Sequence, residues 1–112
     1  MSTITREFLI QGSETDPYKV VFEKNGPILK ASCTCRAGIF GQLCKHRLLL
    51  LNGNTDGLVS PNVAEACEVA SWLAGSNVAS AISDLVTLEA EKQAIESRIK
   101  RAKKVVALAL MG

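Results

Sequence analysis

Aromatic residues are scarce in this 112-residue chain: three Phe, one Tyr and one Trp make up 4% of it. That excludes a single aromatic-rich core, and with it an open stacking platform for single-stranded nucleic acid. Long hydrophobic runs are also missing. The longest strictly apolar stretches are residues 48–51 and 105–111, far short of the roughly 20 residues that cross a bilayer, so no membrane segment is expected. Nor is there a large excess of charge of either sign. Thirteen Lys and Arg against eleven Asp and Glu leave a formal charge of +2, which does not by itself announce a nucleic-acid binder. Residues 1–7 hold no basic stretch leading into an apolar run, so a secretory signal is not expected. The default compartment is therefore intracellular and reducing (cytoplasmic, or nuclear in a eukaryote), where clustered cysteines serve as metal ligands more often than as disulfides.

What is present is an ordinary globular composition, 47% hydrophobic and 21% charged, with room for one small domain and an extension. The character of the chain changes near residue 60. Before it lie every Phe and Tyr, most of the glycines and three of the four cysteines; after it the sequence is rich in Ala, Val, Leu, Glu and Lys. We expect an α+β protein: a small zinc-stabilised β-hairpin or sheet with a short helix over 1–59, then a helical hairpin over 60–112.

Strands are expected at residues 7–11, 18–24 and 28–35. The second alternates Tyr18, Val20 and Phe22 on one face, and the third places Leu29, Ala31, Cys33 and Cys35 on another. Asn25-Gly26 between them reads as a hairpin turn. A short helix over 43–51 is stopped by Asn52-Gly53, and residues 52–57 read as a linker. Ser60-Pro61 reads as an N-cap and first-turn proline for a helix over about 60–74, with Val63, Ala66, Cys67, Ala70 and Leu73 at helical spacing. A long helix is expected over about 77–111, where neither Gly nor Pro intervenes before the last residue.

Chemistry concentrates between residues 33 and 46. Cys33-Thr-Cys35 and Cys44-Lys-His46, the latter with the only histidine, lie eight residues apart. Two sulfurs at a strand end can point to one side, and a pair at a helix start can be aimed inward, where the positive helix N-terminus favours thiolate. Gly38 and Gly41 let the intervening loop wrap a small ion. Three thiolates and one imidazole make a closed, structural Zn²⁺ site, one per chain, with no position left for reactive water. Cys67 is the rival fourth ligand, but its place on the apolar stripe makes it a core residue in this reading.

The order of hairpin, C-x-C, loop, C-x-H and apolar helix, here Cys33-Thr34-Cys35, Cys44-Lys45-His46 and residues 47–51, resembles the SWIM-type zinc finger. The resemblance spans about residues 8–51. It implies a ββα-like zinc fold with Cys33, Cys35, Cys44 and His46 as ligands, and binding to DNA or to other proteins, in a family whose fingers usually accompany a larger catalytic domain.

In the long helix, Ala81, Leu85, Leu88, Lys92, Ile95, Ile99, Ala102, Val106 and Ala109 recur at alternating spacings of four and three, a near-heptad stripe broken only by Lys92. Packing of the stripe on Val63, Ala70 and Leu73 would cover less than half of a helix roughly 50 Å long. Self-association as a homodimer, or a partner helix, is expected to cover the rest. Arg98, Lys100, Arg101, Lys103 and Lys104 lie on the same helix. Lys100, Arg101 and Lys104 fall away from the stripe while Arg98 and Lys103 flank it, giving either a solvated face or a phosphate-facing ridge. Arg36, Lys45 and Arg47 form a second basic group in the finger. With no nucleophile–base pair, phosphate loop or carboxylate pair in view, the expectation is a non-enzyme: a zinc module that binds nucleic acid, DNA above all. The alternative is a protein-interaction adaptor or accessory subunit docking a larger enzyme, its zinc purely structural.

Overall fold

The structure, a computed structural model, describes residues 3–112. Three strands come first: β1 (Ile4–Ile10), β2 (Tyr18–Asn25) and β3 (Ile28–Cys33). They form an antiparallel sheet in the order β1-β2-β3. The period-two pattern sets the register, pairing Phe8 with Val20 and Val20 with Cys33. One face therefore carries Phe8, Ile10, Val20, Phe22, Leu29 and Cys33, all buried. Phe8 and Phe22 meet edge to face with centroids 6.0 Å apart. The hairpin corner sits one residue later than expected. Asn25 pairs with Ile28, so Gly26-Pro27 makes the two-residue turn, with Gly26 at φ 60. A glycine in the first corner position matches the right-handed twist of the strands.

Four helices follow: α1 (Arg36–Ile39), α2 (Lys45–Leu51), α3 (Val63–Ser71) and α4 (Ala79–Leu110). The first is a single turn inside the expected loop, and it shortens the third strand to end at Cys33. The chain forms two compact units, Met1–Ala79 and Ser80–Gly112. The first runs well past residue 59 because segments expected to be linker are tied into the sheet. Gln11 N–H donates to the Gly57 carbonyl at 2.7 Å and Val59 N–H to the Leu9 carbonyl at 2.8 Å. Ser60 does not cap α3. Its hydroxyl accepts from Leu9 N–H at 3.1 Å and donates to Asn62, the residue at the N-cap position. On the other edge, Asn77 Oδ1 accepts from Leu29 N–H at 2.7 Å and Asn77 N–H donates to the Pro27 carbonyl at 3.0 Å. Both edges of the sheet thus lose free backbone groups that would invite pairing with another chain.

α3 packs against β1 and α2. Its buried face is Ala66, Val69 and the adjoining Trp72, which pack with Leu50 and Leu51 of α2 in the same core. Arg6 projects from the inner face of β1 to Glu65 and Glu68 of α3 at 3.4 and 3.3 Å, and Lys24 lies 6.0 Å from the Trp72 ring centroid. Two expectations are corrected. Cys67 is exposed, not core, because the buried face of α3 is rotated by about 100° from the stripe that includes it. Val63 is likewise exposed.

α4, taken by itself, is 32 residues long with no buried residue. Its stripe residues Leu88, Ile95, Ile99 and Val106 are all about half exposed or more. No helix among the described residues is long and apolar enough to cross a membrane.

Candidate metal centre

The strand end, a one-turn helix and the start of α2 bring four donors together. Cys33 closes β3, Cys35 occupies the N-cap position of α1, Cys44 that of α2, and His46 lies in the first turn of α2. Their ligand atoms all lie within 4.8 Å of one another, and all four residues are buried. Cys33 Sγ is 3.8 Å from His46 Nδ1. A tetrahedral ion with the usual Zn–S and Zn–N lengths needs an S···N edge of roughly 3.5 Å, so little rearrangement closes the cage.

The loop between the pairs is held by close approach. Gly38 N–H donates to Cys35 Sγ at 3.4 Å, and a methyl group at Gly38 would run into the Cys33 carbonyl. His46 is oriented by Tyr18, whose ring centroid lies 4.9 Å away. Tyr18 in turn packs so closely on Gly12 that no side chain fits there.

Burial acts on the protonation of Cys33, Cys44 and His46 alike. Burial pushes the Cys33 thiol up to about 12, with the neighbouring Cys44 sulfur adding to the rise. Burial acts the same way on Cys44, but the backbone N–H and guanidinium of Arg47 outweigh it and hold that thiol below its ordinary value. Burial, with the charge of Lys45 beside it, depresses His46 and keeps its imidazole neutral. A neutral imidazole is the ligating form, and a divalent ion would displace the proton that burial keeps on Cys33.

Residues 18–52 match the SWIM zinc finger. No curated protein and no solved structure matches the chain. The matched segment runs from β2 through α2 and contains all four donors. Within this matched segment Cys33, Cys35, Cys44 and His46 are positioned to bind one zinc ion. Three thiolates and one imidazole suit zinc, and four protein ligands fill a tetrahedral sphere. Cys67 is not part of the cluster.

Of the three finger cations, Arg36 and Lys45 are exposed, at the starts of α1 and α2. Arg47 is turned inward instead. Its Nε donates to Cys44 Sγ at 3.2 Å and its two terminal nitrogens donate to the carbonyls of Ala31 at 3.2 Å and Gln42 at 2.6 Å. One guanidinium thus joins a ligand sulfur, the β3 edge and the metal loop, and it is not free for phosphate. The sequence signals only the contact with Cys44, which Arg47 follows by three residues at a helix start, one turn on and on the same face; the Ala31 carbonyl is brought to it by the fold. Arg98, Lys100, Arg101, Lys103 and Lys104 are exposed on α4, in the second unit.

Arg47→Ala should weaken zinc affinity about 10- to 100-fold, the range for partners that orient ligands. Arg47→Lys should recover little, because an ammonium cannot reach three acceptors with a planar fork. Competition titration against a chromophoric chelator measures both. Unchanged affinity in the Ala variant would refute this role.

Proposed function

We propose that this chain is a non-catalytic, zinc-stabilised SWIM module that binds nucleic acid, DNA above all, with α4 as an assembly helix. The observation that carries this reading is the far half of α4. Beyond Glu96 the chain holds five cations, Arg98, Lys100, Arg101, Lys103 and Lys104, and no anion, all of them exposed. Local clustering of this kind supplies phosphate contacts that a net charge of +2 does not reveal. Arg36 and Lys45 add exposed cations on the finger. A metal sphere filled by four protein ligands favours binding over catalysis.

The test is duplex DNA binding by zinc-loaded protein, followed by fluorescence anisotropy across a salt series. Three phosphate contacts predict roughly a forty-fold loss of affinity between about 50 and 200 mM salt. The triple change Lys100→Gln, Arg101→Gln and Lys104→Gln should flatten that dependence. Absence of binding at the lowest salt would overturn the proposal.

One observation favours the adaptor reading. Ile39, Phe40 and Leu43, on the loop that wraps the metal centre, are 70%, 69% and 59% exposed. Three neighbouring apolar side chains left in water suit a protein partner, such as a larger enzyme to which the chain is accessory. Salt-insensitive behaviour toward DNA, together with loss of that partner on Phe40→Ser, would favour it.

A further inference from the structure

The exposed stripe of α4 has a charge pattern that names its occupant. With stripe residues as core positions a (Leu85, Lys92, Ile99, Val106) and d (Ala81, Leu88, Ile95, Ala102, Ala109), the flanking e positions include Glu89, Glu96 and Lys103, and the g positions include Asp84, Glu91 and Arg98. The helix is thus acidic on its flanks before residue 97 and basic after it.

A parallel pair of copies sets each g residue against the e residue five positions on in its partner. That juxtaposes Asp84 with Glu89, Glu91 with Glu96 and Arg98 with Lys103: like charges in every case. It also stacks the two Lys92 side chains against each other in the core. An antiparallel pair sets g against g and e against e. With Lys92 packed beside Ile95 and the same five-position offset, Asp84 then faces Arg98 and Glu89 faces Lys103, each twice by symmetry, while Ile82 meets Leu110. The like-charge contacts left are Glu91 against Glu91 and Glu96 against Glu96 across the axis, and Lys92 of the same helix already lies 3.9 Å from Glu96 to offset the second.

We infer that the occupant of this stripe is a second copy of the chain, docked antiparallel through α4. The inference rests on the reading of α4 as an assembly helix and is independent of nucleic-acid binding. It leaves Lys100, Arg101 and Lys104, at positions b, c and f, facing solvent on the paired helices and free for phosphate. By itself the stripe is only an exposed apolar face; the reversal of flanking charge is what selects the partner and its direction.

Sedimentation equilibrium of the zinc-loaded full chain at low salt tests it. The wild-type chain should sediment as a dimer. Glu89→Lys turns two flanking attractions into repulsions and should raise the dimer dissociation constant about fivefold or more. Adding Lys103→Glu should restore dimerisation, which separates lost pairing from lost folding, and circular dichroism confirms that each variant remains helical. In a parallel dimer the chain with Glu89→Lys would instead associate more tightly, since the new ammonium group would attract Asp84 of the other copy. That result would overturn the orientation but keep the assembly reading. A wild-type chain that stays monomeric overturns both, and a dimer indifferent to both changes overturns α4 as the interface.

Discussion

Replacing His46 by Ala, or Cys44 by Ser, is expected to abolish cooperative folding of the Met1–Ala79 unit. The reason is the scale of the ion's contribution. Zinc binding to small structural sites supplies on the order of 10 kcal/mol of folding free energy, while a whole domain of ordinary size is stable by only about 5–15 kcal/mol. The buried core of this unit is small: its largest fully buried side chains are Phe8, Phe22, Leu50, Val20 and Val69. Three of the four ligands also occupy junctions, since Cys33 ends β3 and Cys35 and Cys44 open α1 and α2. Without the ion, three buried cysteines and a buried histidine remain close together, and side-chain packing and Arg47 are left to join the sheet to α2. Thermal melting followed by strand signal and near-ultraviolet dichroism of Trp72 should show the transition lost, in the variants and in wild-type protein treated with chelator. Helical signal from α4 should largely persist, as it belongs to a separate unit. Unchanged melting in both variants and with chelator would refute a folding role for the metal.

The second large effect concerns where the folded unit ends. A chain terminated after residue 59 contains all four metal donors and the whole matched segment, yet it should fold poorly even with zinc. A chain terminated after residue 79 should fold well. The shorter chain lacks Ala66, Val69 and Trp72, which are 0%, 0% and 6% exposed. It also lacks the Glu65 and Glu68 partners of Arg6 and the Asn77 clasp on β3. Each large apolar side chain withdrawn from water is worth roughly 1.5–3 kcal/mol, and their loss uncovers Leu50 and the inner face of the sheet as well. Within the intact chain, Trp72→Ala should cost about 3–5 kcal/mol and lower the melting temperature by ten degrees or more on the scale of roughly 4–8 °C per kcal/mol. Equal stability of the two truncated chains would show that α3 is dispensable to the finger.

Local pattern alone made much of this legible. Alternation in Tyr18, Val20 and Phe22 gave the strand and its buried face, because a residue's side on a strand depends only on parity. The ligand set was readable from spacing, since two residues at i and i+2 on a strand end, and again at a helix start, can converge on one ion. The length of α4 followed from the absence of Gly and Pro between residues 79 and 110. The alternating three-and-four spacing of its stripe and the reversal of its flanking charge are likewise properties of the sequence by itself.

Only the tertiary structure decided which apolar face of α3 is inside. Two stripes about 100° apart, one through Cys67 and one through Val69, are equally plausible on a nine-residue helix, and packing of Ala66, Val69 and Trp72 in the core with Leu50 settled it. The same holds for residues 52–60. Their Gly, Asn and Thr content reads as a linker, but long-range hydrogen bonds to Gln11 and Leu9 bind the segment to the edge of β1. Arg47 is the clearest case. Its charge pointed outward to phosphate, whereas three acceptors, one sulfur and two carbonyls, converge on it from separate parts of the chain. Sequence fixes what each residue can do within a turn of its own backbone; which distant groups meet it is a property of the fold, and here that difference turned an expected surface cation into a brace for the metal centre.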